Sequence, residues 1–165
     1  MSTASRSRKR LLERVYFLRY VSDRIALPFN RFQSVFTQGN MILIVDDQKD
    51  TGAVLARLLR YAGHESGSVM GGAEALAMLH IRKPALLVLD VSMPDMDGLT
   101  VLRTIKEDDE LNDVRVVMYS ADTRKETRAE ATRLGAVDFL AKGTTGFDNL
   151  IARIADLAGE PMIAA

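Results

Sequence analysis

Three short apolar runs constrain this 165-residue chain more than any other feature: Met41-Ile-Leu-Ile-Val45, Ala85-Leu-Leu-Val-Leu89 and Val114-Arg-Val-Val-Met118. A strand with one wet face alternates polar and apolar residues. Near-continuous apolar runs belong to strands covered on both faces, the habit of parallel sheets. Helical periodicity fills the intervals. Val54, Leu55, Leu58, Leu59 and Ala62 form a stripe closed by Gly63, and Ala75, Leu76 and Leu79 share one face of Ala73–Ile81, which Lys83-Pro84 stops. Leu99, Leu102 and Ile105 point inward from a third helix. Thr123–Leu134 is a polar helix ending at Gly135, and Phe147, Leu150, Ile151, Ile154 and Leu157 make the last stripe. Glu65–Val69, diluted by Ser66, Gly67 and Ser68, is a weak strand expected at a frayed edge; Ala136–Ala141 is the last strand. The order βαβαβαβαβα predicts an α/β fold, a parallel sheet with helices on both faces.

In such a sheet, ligands bind beyond the carboxyl ends of the strands. Asp46 and Asp47 follow the first strand, Asp90 the third, Ser120 the fourth and Lys142 the fifth. Three carboxylates gathered at one edge repel, and one takes up a proton unless a cation intervenes. Mg²⁺, a hard ion with oxygen ligands, is the natural cation. A carboxylate beside Mg²⁺ and a lysine can attack a phosphoryl group and form an aspartyl phosphate, with the cations offsetting charge on the transferring oxygens. Singly, each residue has a plainer reading as a turn, a helix cap or a solvated charge. Their coincidence at four strand ends favours the chemical one. No Walker phosphate loop and no G-x-G-x-x-G is present, so nucleotide binding has no support.

Ile44-Val-Asp-Asp47, Asp90-Val-Ser-Met-Pro-Asp-Met-Asp-Gly98, Tyr119-Ser-Ala121 and Phe139-Leu-Ala-Lys142 resemble the response-regulator receiver domain of two-component signalling, over about residues 41–158. The resemblance implies a doubly wound, flavodoxin-like sheet of five strands in the order 2-1-3-4-5. It implies Asp90 as phosphoacceptor and Lys142 as its partner. Asp47 becomes the direct Mg²⁺ ligand, Asp46 acts through water, and Ser92 supplies a backbone carbonyl. Ser120 becomes the switch hydroxyl and Phe139 the switch aromatic, turning inward on phosphorylation. Asp122 matches a position that influences dephosphorylation. The implied partners are a histidine kinase or histidine phosphotransfer protein and a downstream protein target, in the cytoplasm, with no DNA contact from the receiver itself. Met93-Pro94 and Gly98 read equally well as plain turn formers. The family has Pro after the lysine, often with a cis peptide; here Gly143 follows, which puts that geometry in doubt.

The expected role is signalling and not turnover catalysis. Only Ala158–Ala165 follow the last stripe, so no output domain is expected in the chain. Two other classes stand beside it. An Asp-nucleophile phosphohydrolase prefers Asp-x-Asp after its first strand, and Asp90-Val91-Ser92 lacks the second acid. A phosphate-independent interaction domain has no use for the complete set Asp46, Asp47, Asp90, Ser120 and Lys142.

Charge separates the remainder. Residues 1–40 carry eight basic and two acidic groups, +6, whereas the rest carries fourteen basic and twenty acidic, −6. The leader reads as a basic helix over residues 9–27 able to touch a membrane or nucleic acid, as a flexible tail, or as an over-extended start before a natural one at Met41. A tail is expected over residues 159–165. Absence of cysteine excludes disulfides and Cys-ligated zinc. His64 and His80, both expected at the surface, are too few for a His-built site. The longest uncharged run, Phe32–Val45, is too short to span a membrane.

Overall fold

The structure is a computed structural model that describes residues 41–144 and 146–159. The expectations for residues 1–40 and for the tail past Gly159 lie outside the described residues. Ten elements alternate: β1 (Ile42–Val45), α1 (Lys49–Tyr61), β2 (Ser66–Val69), α2 (Gly72–Ile81), β3 (Leu86–Leu89), α3 (Gly98–Glu107), β4 (Val116–Ser120), α4 (Lys125–Arg133), β5 (Asp138–Ala141) and α5 (Phe147–Ala158). All strands pair in parallel, in the order β2-β1-β3-β4-β5. β1, β3 and β4 are buried throughout, as strands covered on both faces must be, while β2 lies at an edge with Ser66–Ser68 half-buried.

Side-chain alternation divides the core into two layers. Ile42, Ile44, Leu86, Val88, Val117 and Tyr119 meet Leu55, Ala56 and Leu59 of α1 and Leu150, Ile154 and Leu157 of α5. On the opposite face α2 packs on α3, and α3 on α4. The helix stripes differ from expectation by a residue. Val54 is exposed, and Leu55, Ala56, Leu59 and Gly52 carry the contact of α1. Met78 replaces Leu76 in α2, and Val101 replaces Leu99 in α3. These stripes are wide, and the sheet selects their centre. Phe147 is 59% exposed because it opens α5, where Cα–Cβ bonds tilt back toward the helix start and away from the sheet.

Three further boundaries moved for local reasons. Lys106 Nζ donates to the carbonyl oxygens of Asn112 and Val114, at 2.9 and 2.7 Å. Those carbonyls bond outside the sheet, and β4 begins at Val116; its far end runs on to Ser120, paired with Ala141 of β5. Asp122 accepts from Arg124 N–H and keeps residues 122–124 as a turn, so α4 begins at Lys125. β5 begins at Asp138, two residues later than Ala136. His64, expected at the surface, is buried: its N–H donates to Leu59 O, which draws the α1–β2 connection under the helix end. His80 is exposed, 3.4 Å from Asp108 and 3.7 Å from Glu110. Among the described residues no helix is long and apolar enough to cross a membrane.

Candidate functional site

The parallel register carries the expected residues to one edge. Asp46 N–H bonds Val69 O, Asp90 N–H bonds Val45 O, and Lys142 N–H bonds Ser120 O, so each strand end is pinned to its neighbour. Asp46, Asp47 and Asp90 offer carboxylate oxygens within 4.8 Å of one another. Lys142 Nζ donates to Asp90 Oδ2 at 2.6 Å and to Asp46 Oδ2 at 2.8 Å. Burial pulls the Lys142 ammonium down, but its two acidic partners outweigh that and hold it above its ordinary value.

The remaining oxygens are treated unequally. Asp46 Oδ1 accepts from Gln48 N–H and Asp90 Oδ1 from Ser92 N–H. Asp47 Oδ1 is buried, and no described group donates to it. An unpaired buried acceptor costs about 1–3 kcal/mol. Three acids facing one ammonium and one orphaned oxygen form the environment that a hard cation relieves, and the all-oxygen donor set suits Mg²⁺.

Two neighbours shape the loop after Asp90. Asp97 accepts from Thr100 N–H and caps α3. Gly98 had an adequate reading as a turn former, but a Cβ there would run into Asp90 O and Val91 Cα. Only glycine lets α3 start against the Asp90 backbone. After Lys142 the peptide is trans, with Gly143 at φ +77°. Proline is locked near −65°, so the family's proline does not fit this turn.

Ser120 is fully buried, and its Oγ accepts from Asp122 N–H at 3.2 Å. The Asp122 carboxylate is gripped by Arg124 and by Thr127 Oγ1, and the Arg124 hydrogen bonds hold it well below the usual carboxylate range. Phe139 is 5% exposed, with the Arg128 guanidinium 4.8 Å from its ring centroid. Tyr119, which the sequence offered only as a neighbour of Ser120, has its ring centroid 5.4 Å from Lys142 Nζ. Strand alternation holds the signal: one residue before Ser120, Tyr119 faces the opposite layer. Burial pushes its phenol up, so the ring is neutral.

Residues 42–155 match the family model of the response regulator receiver domain. The transcriptional regulatory protein PrrA of Mycobacterium tuberculosis is 37% identical over 113 residues, 68% of this chain and 47% of PrrA. The response regulator PleD of Caulobacter vibrioides is 38% identical over 101 residues, 61% of this chain and 22% of PleD. The chain thus spans less than half the length of these relatives. The crystal structure of a response regulator receiver protein from Pseudomonas putida superposes with a TM-score of 0.67 at 27% identity, over 73% of this chain and 98% of that one. Built on a 2-1-3-4-5 parallel sheet with three acids and a lysine at its carboxyl edge, the chain belongs to the response regulator receiver domain family.

Proposed function

We propose that the chain is a phosphoacceptor signalling module that takes a phosphoryl group onto Asp90 from a histidine kinase or histidine phosphotransfer protein. A carboxylate oxygen of Asp90 forms the new O–P bond as the donor's P–N bond breaks, and the departing imidazole keeps the electron pair. The observation that carries this reading is Lys142 Nζ bonded at once to Asp90 and Asp46, beside the orphaned Asp47 oxygen. Asp46, Asp47, Asp90 and the Ser92 carbonyl are the groups to hold Mg²⁺, which when bound neutralises charge on the transferring oxygens. Lys142 orients Asp90 before transfer and faces the phosphoryl oxygens afterwards. Deep burial of Asp46 and Asp90, 2% and 4% exposed, strengthens each of these interactions.

The switch follows from the same geometry. On phosphorylation the Ser120 hydroxyl turns from Asp122 N–H toward the new phosphoryl oxygens, and the Phe139 ring turns inward into the space it leaves. The face of α4, β5 and α5 then presents a different surface to a downstream protein, a local charge event biasing a two-state element. The reading is of a cytoplasmic signalling partner, with no turnover of a small substrate.

Incubation with Mg²⁺ and acetyl phosphate tests it. Wild-type protein gains an acid-stable, base-labile phosphate, and Asp90→Asn gains none. Equal labelling of the two proteins sinks the reading.

A further inference from the structure

Lys142 has a demanding task and little backbone support. Its ammonium rides on a flexible four-carbon stem. Gly143 follows at φ +77°, and no atom lies within 4 Å of where a Cβ would stand. Its two hydrogen-bond partners, Asp46 and Asp90, belong to the groups whose charge the reaction changes. Tyr119 differs from both. Its ring is neutral, 8% exposed and packed in the layer of Ile44, Val88 and Leu150. Its backbone is in register with Leu140 of β5, two residues before Lys142. The ammonium, 5.4 Å from the ring centroid, lies within the range where the negative face of an aromatic ring attracts a cation.

We propose that Tyr119 is a positioning residue, its ring face holding the Lys142 ammonium where the oxygens of the transferring phosphoryl group gather. This rests on Asp90 as phosphoacceptor. The ring acts through its face and not its hydroxyl, because the attraction comes from the quadrupole of the π-system. Phenylalanine therefore replaces tyrosine, and an aliphatic residue does not.

The test uses the full chain, Mg²⁺ and acetyl phosphate as donor, with Tyr119→Phe, Tyr119→Leu and pentafluorophenylalanine incorporated at position 119. The fluorinated ring keeps the shape of the core and reverses the quadrupole, so it answers even where Tyr119→Leu fails to fold. The Phe variant labels within about twofold of wild type, and the Leu and fluorinated variants lose about fivefold in limiting rate. Donor half-saturation stays unchanged, as expected for an interaction felt in the transition state. A second readout needs no phosphate: the Lys142 ε-methylene proton resonances are displaced by the ring current in wild type and Tyr119→Phe, and return to ordinary positions in Tyr119→Leu. A fluorinated variant that labels at the wild-type rate overturns the proposal, as does an equal loss in Tyr119→Phe. Wild type with ring-shifted Lys142 protons but no label overturns the phosphoacceptor reading, and this role with it.

Discussion

Two clusters of opposite charge sit at the two ends of the sheet. At the amino edge, Arg82 meets Glu65 through two parallel bonds, Nη1 to Oε1 at 2.7 Å and Nη2 to Oε2 at 2.8 Å. At the carboxyl edge, Lys142 faces Asp46, Asp90 and, beyond them, Asp47. Both clusters are largely shielded from water. The first is matched in charge, one guanidinium to one carboxylate, and it ties the α1–β2 connection to the end of α2. The second holds more acid than base. A matched pair is a structural joint. A mismatched set is destabilising until something cationic arrives, and that makes it a site.

The comparison can be broken at either end. Replacing Lys142 with Met should lower the acetyl phosphate labelling rate by about 10²–10³-fold, the loss typical of a removed charge-stabilising donor. Initial-rate labelling with Mg²⁺ present measures it, and an unchanged rate would mean that the ammonium is only a structural neutraliser. At the other edge, Arg82→Ala leaves Glu65 without its fork. It should destabilise by about 2 kcal/mol, less than a fully buried pair because Glu65 is 25% exposed, and without altering labelling. Urea denaturation reads the first part and the labelling assay the second.

Asp47→Asn should act with the opposite sign. Removing one acid from the surplus raises stability in chelator by about 1 kcal/mol. It should also remove the upward shift in Tm expected when Mg²⁺ is added to wild type. A variant less stable than wild type in chelator would mean that the three acids are not in surplus. The smallest effect is expected away from both clusters. Glu130 bridges Arg133 and Arg103, and the Arg133 hydrogen bonds pull its carboxyl from 4.5 down to about 2. A carboxyl depressed in the folded state stabilises above its unfolded value and loses that contribution as pH falls. The window therefore runs from about 4.5 down to about 2. Glu130→Gln should flatten the stability–pH curve slightly in that window, and a carboxyl resonance titrating near 4.5 would remove the bridge from the account.

Much of this organisation is readable in the chain because parallel strands advertise themselves. Ile42–Val45 and Leu86–Leu89 have no polar alternation, so their ends, and hence Asp46, Asp47 and Asp90, can be located by inspection. Other features were hidden because they depend on what lies opposite. Burial of His64 follows from a backbone bond to Leu59, and exposure of Phe147 from its place at a helix start. The start of β4 at Val116 lies just past two carbonyls that Lys106, a side chain from a different element, takes up. Gly98 looked like a turn residue until α3 was seen against the Asp90 backbone.

By itself, then, the sequence determined the class of fold, the strand ends and the inventory of charges brought to one edge. These are local properties: apolar periodicity sets the elements, and parallel pairing sends every carboxyl end the same way. The tertiary structure alone decided which oxygens Lys142 holds, which one is left unpaired, and that the Tyr119 ring lies beneath the ammonium. Those depend on distances of a few ångströms between strands far apart in sequence, and no periodicity encodes them.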